Sequence, residues 1–418
     1  MKDNCFNEFD PNAIDVNQAI NKIKSSIKSI KGYENVKIKD SIGRVLAKNV
    51  KSSINVPNYK NSAMDGYAIR INRVNQSSNI LKCVGASLAG HKFSKNLRAG
   101  ETVKVMTGGR VPDNCNAVVM QEMVDFVDDK HIKINSKIVI NQNIRFPGED
   151  IKKGELVLNA GKIINEIDIG LLASIGVANV DVLVKPTIGF LSTGDELISI
   201  NKSIKDSEVY DSNRYLLYGL LKKYPVKIND YGVVKDKQKL IENKLKKAAS
   251  ECDVLLTTGG VSVGQADFVK DALTKLGKVN FWKISVKPGR PLAYGSIKKC
   301  IFFGLPGNPV SVVVTFLLFV DPAIRKLISQ DNQNNLYLHA KLNGIIQKKK
   351  GRKEYKRGVL TIRNGEYEVK TTGKQGSNIL SSLKDANCFI ELSENIKTVK
   401  HGKIVKVIPL SLQSKTYE

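Results

Sequence analysis

The most informative stretch of the sequence is DVLLTTGGVSVGQADF, Asp253–Phe268. An apolar run ends in two glycines, a serine follows, and the next segment has the apolar spacing of a helix. A buried strand that leads through glycines into a helix lets backbone N–H groups approach an anion closely. The stretch matches neither the P-loop nor GxGxxG, so neither of those routes to nucleotide binding is indicated. We interpret it as a phosphate cradle, with an ordinary glycine turn as the alternative.

Strands and helices alternate on both sides of this stretch, from Pro186 to about Ser329. The strands are TIGFLSTGDEL, KINDYGVV and DVLLTTGG, and the helices are DSNRYLLYGLLKKY, KQKLIENKLKKAAS and QADFVKDALTKLG. This order predicts a doubly wound, mostly parallel sheet, in which ligands bind beyond the carboxyl ends of the strands. The 11-residue apolar run Val310–Val320 is too short for a membrane span of ~20 residues and predicts a buried helix.

The flanking sequence has other patterns. Apolar spacing predicts a helix over 15–30, capped by Asp15, and a second helix near 164–176. Short β-rich runs fill the region from about Val56 to Asp150, and alternation from Leu336 onward predicts a small all-β domain. The fold class is therefore α/β multidomain.

The composition is globular but strongly basic. Of 418 residues, 42% are hydrophobic and 25% are charged, and the net charge is +26. A basic surface attracts nucleic acid, anionic lipid or small oxyanions. No nucleic-acid-binding motif accompanies the densest cluster, KKKGRKEYKR at Lys348–Arg357, which we interpret as a solvated hairpin loop. We expect no nucleic-acid partner, no membrane span and no secretory signal, and hence a soluble cytoplasmic protein.

The six cysteines and four histidines are dispersed along the chain, and no two cysteines form CxxC. Structural zinc sites need close pairs of such ligands. We therefore expect any metal to be a hard ion that is bound by oxygen.

Two further loops in the doubly wound region favour anion binding. In FFGLPGNPVS, Phe302–Ser311, two prolines stiffen the loop, Gly307 allows an unusual φ, and Asn308 or Ser311 is placed to cap the next helix. In SVKPGRP, Ser285–Pro291, Lys287 and Arg290 flank a glycine, which suits a tetrahedral oxyanion. A buried turn and a solvated pair of cations are the respective alternatives.

Five carboxylates lie in loops or at the ends of elements: Asp65, Asp150, Glu196, Asp236 and Asp267. Each one alone could be a helix cap or a surface acid. As a set beside anion-binding loops, they indicate Mg²⁺ held between the protein and phosphate oxygens.

A series of motifs resembles the molybdopterin molybdenumtransferase family, which includes the C-terminal enzyme domain of gephyrin. The motifs are, in chain order, NSAMDGYAIR, MTGGRVP, AVVMQE, IRFPGEDI, LSTGDEL, YDSNR, LLTTGGVSVGQAD, FWKISVKPGRP and GLPGNPVS. The resemblance runs from about residue 10 to about 412, nearly the whole chain.

The resemblance implies a dimer of four-part subunits. Residues 1–50 and 149–183 would form an elongated dimerisation domain and 57–148 a β-rich domain. Residues 184–330 would form the doubly wound catalytic domain, and 335–412 a C-terminal β-barrel-like domain.

The implied reaction inserts molybdenum from molybdate into adenylylated molybdopterin, with Mg²⁺ present and release of AMP. Catalytic positions carried over by the resemblance are Asp65, Thr107, Asp150, Glu196, Asp236 and Asp267, of which Glu196, Asp236 and Asp267 would hold Mg²⁺. Substrate-binding positions are Arg145, Gly259, Gly260, Ser262, Lys283, Lys287, Arg290, Pro306, Gly307, Asn308, Pro309 and Ser377. In the family, the residues from the β-rich domain and the segment after it reach the partner's cleft, so the site would be shared across a homodimer. Contact with the upstream adenylyltransferase is a further implied partnership.

Two other functions compete with this interpretation. The family that adenylylates molybdopterin resembles the doubly wound domain alone, and the additional domains here argue against it. A non-catalytic scaffold of the same fold is the other alternative, which the complete set of carboxylates disfavours.

Overall fold

The computed structural model describes residues 13–71, 80–261, 268–330 and 336–410. The chain divides into two compact units, Met1–Glu34 with Leu183–Glu418, and Asn35–Val182. The first unit is therefore discontinuous in sequence, and the second is one continuous segment. None of the helices in the described ranges is long and apolar enough to cross a bilayer.

Helix α1 (Val16–Ser26) begins as predicted, because the Asp15 side chain accepts the backbone N–H groups of Asn17 and Gln18. The predicted extension to residue 30 is wrong. The backbone becomes extended at Ile27, which is nevertheless 3% exposed, so the apolar spacing continues beyond the helix.

The unit Asn35–Val182 is largely β-structure, as predicted for its part from about Val56 to Asp150. Its elements, with the two strands in which the chain enters and leaves it, are β1 (Tyr33–Lys37), β2 (Val50–Lys51), β3 (Asn61–Ser62), β4 (Gly66–Ile69), β5 (Ile80–Ser87), β6 (Glu101–Val105), β7 (Ala117–Met120), β8 (Val124–Phe126), β9 (His131–Ile134), β10 (Ile144–Arg145), β11 (Leu156–Leu158), α2 (Glu166–Ser174) and β12 (Asn179–Leu183), with short 3₁₀ helices at Ile38–Asp40 and Gln121–Met123. Six strands form one sheet in the order β7-β4-β6-β5-β9-β8. The predicted second helix is α2, and Asn165 and Asp168 form its capping box.

The doubly wound region has the predicted alternation. Its elements are β13 (Thr187–Thr193), β14 (Leu197–Ile198), β15 (Val209–Tyr210), α3 (Ser212–Leu221), β16 (Lys227–Val234), α4 (Gln238–Glu251), β17 (Val254–Thr258), α5 (Phe268–Leu276), β18 (Lys278–Lys283), β19 (Val286–Lys287), β20 (Pro291–Ile297), β21 (Cys300–Leu305), α6 (Pro309–Thr315), a π-helical turn at Phe316–Val320 and α7 (Asp321–Leu327). The sheet order is β16-β13-β17-β21-β20-β18. The first four of these strands are parallel, while β20 and β18 form an antiparallel edge.

The order of the parallel strands reverses beside β13. The chain leaves β13 for β16 on one side and then returns to β17 on the other, so the switch point lies between the ends of β13 and β17. Crevices for ligands form at such points in open α/β sheets. The apolar run Val310–Val320 is buried in α6 and the π-helical turn behind this edge, as predicted.

The C-terminal region is a closed five-stranded barrel, as predicted for a β-barrel-like domain. Its elements are β22 (Leu338–Leu342), β23 (Ile346–Gln347), β24 (Lys353–Arg363), β25 (Glu366–Thr371), a 3₁₀ helix at Leu380–Leu383, β26 (Cys388–Leu392), β27 (Thr398–Val399) and β28 (Ile404–Pro409). The barrel closes because β24 pairs with both β25 and β26. Strand β19 adds to β24 in parallel.

The interpretation of Lys348–Arg357 as a solvated hairpin loop is wrong. From Lys353 onward these residues belong to β24, and Arg357 is only 1% exposed. Lys348 is 8% exposed and its ammonium donates to the carbonyls of Ser393 and Ile396 at 3.0 and 3.2 Å. Closure of the barrel buries both faces of the first half of this strand, and nothing in a run of charges predicts that closure.

Candidate active site

The predicted phosphate cradle lies at the switch point of the sheet. Gly259 and Gly260 follow β17 with φ of +82° and +63°, a left-handed region that favours glycine. A Cβ on Gly259 would lie 2.5 Å from the Thr193 carbonyl oxygen at the end of β13, and one on Gly260 would lie 2.8 Å from Thr193 Oγ1. The Thr193 hydroxyl is buried and has no hydrogen-bond partner within the described part of the chain. A side chain could not replace Gly259 without movement of the β13 backbone, and one at Gly260 would also clash with Val269 of α5.

The loop Pro306–Asn308 lies beside this cradle. A Cβ on Gly307 would lie 4.0 Å from the Gly259 Cα. On its other side, Asn308 Nδ2 donates to Ser377 Oγ at 3.1 Å, and the Val310 N–H donates to the Ser377 carbonyl at 3.1 Å. The loop therefore connects the glycine cradle with a segment of the barrel domain.

Two details of this loop differ from the sequence analysis. Gly307 does not adopt a positive φ, so its backbone does not require glycine. Asn308 occupies the N-cap position of α6, but its side chain makes no capping hydrogen bond and turns to Ser377 instead. Pro309 is the first residue of α6, where a missing N–H costs no helical hydrogen bond.

Asn213 is a site residue that the sequence analysis did not assign. Its Nδ2 donates to the Gly307 carbonyl at 2.7 Å, so helix α3 holds the loop from the side opposite Ser377. Asn213 lies in the quoted motif YDSNR, and that motif was the only signal that could have identified it.

A cavity of about 320 Å³ extends from this loop toward the barrel. The predicted residues Lys287, Arg290, Pro306, Asn308 and Ser377 line it. Lys283, in contrast, ends β18 and is not among the lining residues. The two cations of SVKPGRP therefore share one concave surface, which favours the oxyanion interpretation over a solvated pair.

The barrel strand β24 and the residue before it supply further charged groups of the cavity, and the sequence analysis assigned none of them. They are Arg352, Glu354, Lys356 and Arg357. The buried Arg357 guanidinium donates to the carbonyls of Lys374 and Gly376 at 3.1 and 3.0 Å and to Ser382 Oγ at 3.0 Å. Burial lowers the pKa of Arg357 from its ordinary value. These bonds fix the backbone that precedes Ser377.

Carboxylates gather at the same edge of the sheet, on the far side of the cradle. Glu196 follows β13 and Asp236 follows β16. The two strands end side by side, because Thr193 at the end of β13 is in register with Val234 at the end of β16. The Asp236 N–H donates to Asp195 Oδ1 at 3.2 Å. Burial, followed by the negative charges of Asp195 and Glu196, raises the pKa of Asp236.

This arrangement of carboxylates fits a cation that is completed by a ligand. Within the described ranges, no three His, Cys, Asp or Glu side chains are arranged to hold a metal ion. Protein sites for Mg²⁺ usually supply one or two carboxylates, and substrate phosphates and water supply the rest. Asp236 and Glu196 provide that number beside the phosphate cradle. The predicted residues Ser262 and Asp267 lie outside the described residues.

A second group of predicted residues lies in the unit Asn35–Val182. Asp65 Oδ1 accepts the Thr107 N–H at 2.6 Å and the Thr107 hydroxyl at 2.8 Å. These two bonds lower the pKa of Asp65 from its ordinary value of 3.8 and keep it ionised. Arg145 on β10 is the antiparallel strand partner of Asn61 on β3, four residues before Asp65. Asp150 is exposed, and its N–H donates to the Val56 carbonyl at 3.0 Å.

Three family models match the chain in order. Residues 14–176 match the MoeA N-terminal region (domain I and II), 189–326 match a probable molybdopterin binding domain, and 339–410 match the MoeA C-terminal region (domain IV). Together with the switch-point cradle and the cation-lined cavity, they define the class: a multidomain MoeA-type protein built around a molybdopterin-binding fold.

Individual relatives are similar over nearly the full chain. A molybdopterin molybdenumtransferase of Haemophilus influenzae is 40% identical, with 90% of this chain and 94% of that protein covered. One from Nostoc is 31% identical over 88% of this chain and 87% of that protein. The crystal structure of the molybdopterin biosynthesis MoeA protein of Pyrococcus horikoshii has a TM-score of 0.82 at 32% identity and covers 95% of this chain and all of that one. The chain belongs to the molybdopterin molybdenumtransferase family.

Proposed function

We propose that this protein inserts molybdenum from molybdate into adenylylated molybdopterin, with release of AMP, as a step of molybdenum cofactor biosynthesis. The observation that carries the proposal is the joining of two anion-binding elements through one loop. The glycine cradle at Gly259 and Gly260 suits the phosphates of the nucleotide-linked substrate, and the cation-lined cavity suits molybdate. Pro306–Asn308 contacts both elements, so the two substrates would be held side by side.

In the cavity, the roles follow from charge and rigidity. Arg290 and Lys287 would bind molybdate oxygens, and Ser377 would add a hydroxyl donor whose position Asn308 and Arg357 fix. Donors that are held in place before the substrate arrives stabilise developing charge without reorganisation. The loss of one such donor from an active site typically lowers kcat by about 10²–10³.

At the opposite end, the carboxylates would hold Mg²⁺ on the substrate phosphates. The proposed ligands are Asp236, Glu196 and Asp267. When bound, Mg²⁺ neutralises phosphate charge and makes AMP a better leaving group. The raised pKa of Asp236 supports this role, because the carboxylate stands among other acids that a cation would stabilise.

We further propose a cytoplasmic homodimer with shared active sites and the four-domain division that the resemblance implies. Asp65, Thr107, Arg145 and Asp150 would complete the cleft of the partner subunit. Asp65 remains ionised and is held by Thr107, which suits a residue that orients a substrate group. Contact with the upstream adenylyltransferase would deliver the unstable adenylylated substrate directly.

The reaction is tested by AMP release from adenylylated molybdopterin in the presence of Mg²⁺, with and without micromolar molybdate. Wild type should release AMP in a molybdate-dependent manner, and Asp65→Ala and Asp236→Asn should lose the activity. Absence of release at any molybdate or tungstate concentration would refute the proposal and leave a scaffold function. Net formation of adenylylated product from ATP would instead identify an adenylyltransferase.

The shared site is tested by mixing the two inactive variants. In an Asp65→Ala/Asp236→Asn heterodimer, shared sites would leave one site with both residues intact. Random reassortment of a two-fold dimer would then restore about a quarter of wild-type activity. If each site were built from one subunit, every site would lack one residue and no activity would return.

A further inference from the structure

Glu354 is a buried carboxylate in the cavity, and the other charged groups among the described lining residues are cations. The residue is 5% exposed and lines the cavity together with Lys287, Arg290, Arg352, Lys356 and Arg357. A negative charge in the wall of a cavity repels a dianion such as molybdate and so weakens its binding. Oxyanion binding by the lysines and arginines of the cavity gives this carboxylate no role.

The strand pairing determines which cations Glu354 contacts. Lys287 on β19 is in register with Glu354 on β24, and its Nζ lies 3.5 Å from Glu354 Oε1. Lys356 lies two residues along β24, on the same face of the strand, and its Nζ lies 3.0 Å from the same oxygen. One carboxylate oxygen thus forms ion pairs with two ammonium groups that line the cavity.

We propose that Glu354 is an affinity-determining residue, a built-in counter-ion that competes with the bound oxyanion for Lys287 and Lys356. Its charge keeps the cavity from being saturated by the sulfate and phosphate of the cell and keeps a bound oxyanion exchangeable. The inference rests on the proposed oxyanion role of the cavity. It goes beyond that role because it assigns a function to a group that opposes binding.

Glu354→Gln is the informative variant, because it removes the charge but keeps the shape and the acceptor oxygen. Removal of a unit charge about 6 Å from a dianion strengthens binding by about tenfold even at the dielectric constant of water, about 80, and by more where the surroundings screen less. We therefore expect the dissociation constants of sodium molybdate and of sodium sulfate, measured by calorimetry, to fall about tenfold. Damage to the fold would weaken binding, so a gain in affinity cannot arise from a structural defect.

Two control variants sharpen the comparison. Glu354→Asp keeps the charge and should bind both anions within about twofold of wild type, because the long-range Coulomb interaction depends only weakly on one methylene. Glu391 on β26 is also ion-paired, to Lys406 at 3.4 Å, but does not line the cavity, so Glu391→Gln should leave both constants unchanged.

The outcomes separate this inference from the proposed function. If Glu354→Gln weakens the binding of both anions, as loss of the ammonium in Lys287→Met is expected to do, Glu354 only holds Lys287 in place and the counter-ion role is wrong. Unchanged constants in Glu354→Gln would also refute it, while the oxyanion site would stand. Failure of wild type to bind either anion would overturn the oxyanion site itself, and the inference with it.

Discussion

Replacement of Gly259 by alanine tests whether the cradle depends on the close approach of β17 to β13. Two effects add at this position. A left-handed φ of +82° costs an alanine about 1–2 kcal/mol. The new Cβ would also lie 2.5 Å from the Thr193 carbonyl oxygen, a backbone atom that moves only with β13, and such overpacking costs about 1–3 kcal/mol more. The expected loss in the free energy of unfolding is therefore about 2–5 kcal/mol.

The chain offers a matched control for the first of these effects. Gly402 has a φ of +77°, lies in the same compact unit, and has no atom within 4 Å of the Cβ that alanine would add. Gly402→Ala should thus lose only the backbone component, about 1–2 kcal/mol. The difference between the two variants isolates the contact with Thr193.

Urea denaturation gives the free energies, and molybdate-dependent AMP release gives the activity. We expect Gly259→Ala to be the less stable variant and to lose activity, because β13 and the cradle can separate only by widening the switch point. Gly402→Ala should keep its activity. Equal destabilisation of the two variants would refute the argument, since it would show that the approach to Thr193 contributes nothing.

Three further predictions concern charged groups. The raised pKa of Asp236 means that the native state binds the proton more tightly than the unfolded state, so the free energy of unfolding falls as pH rises from 3.8 through the raised pKa. Asp236→Asn should therefore melt at a higher temperature than wild type at pH 7 without Mg²⁺. The same variant should lose at least about tenfold in activity. The lowered pKa of Asp65 has the opposite effect on stability. Wild type should have a larger free energy of unfolding than Asp65→Asn above pH 3.8, and this difference should disappear as pH falls through the lowered pKa. Acid titration of both proteins checks it. Arg357→Met leaves two carbonyls and the Ser382 hydroxyl without their donor and should cost about 3 kcal/mol in urea denaturation, whereas full stability would contradict a fixing role.

The sequence predicts the doubly wound domain well because its signals are local. Apolar strands that end in glycines, and helices with clear periodicity, identify the elements and the edge at which the ligands bind. The cradle at Gly259 and Gly260 can therefore be located from the sequence alone. The position of Thr193 opposite the cradle cannot be predicted from the sequence, because it depends on which strand becomes the neighbour of β17.

The barrel side of the site was much less predictable. Arg357 and Glu354 stand in a run of lysines and arginines that is typical of solvated loops, and only closure of the barrel buries them. Apart from its place in the motif YDSNR, Asn213 carries no local signal of its role, because that role depends on contact with Gly307, 94 residues later in the chain. Long-range pairing determined each of these positions, whereas periodicity and turn chemistry report only on near neighbours.

The discontinuity of the first unit has a consequence for synthesis on the ribosome. Helix α1 packs against α7, and the Ile30 N–H donates to the Leu327 carbonyl at 2.8 Å. The N-terminal helix must therefore wait for about 300 further residues, or roughly 15–60 s at bacterial and eukaryotic elongation rates, before its partner exists. Asn35–Val182, in contrast, is complete as soon as it leaves the exit tunnel. The nascent chain is thus expected to carry a folded middle segment while its first helix remains exposed to chaperones.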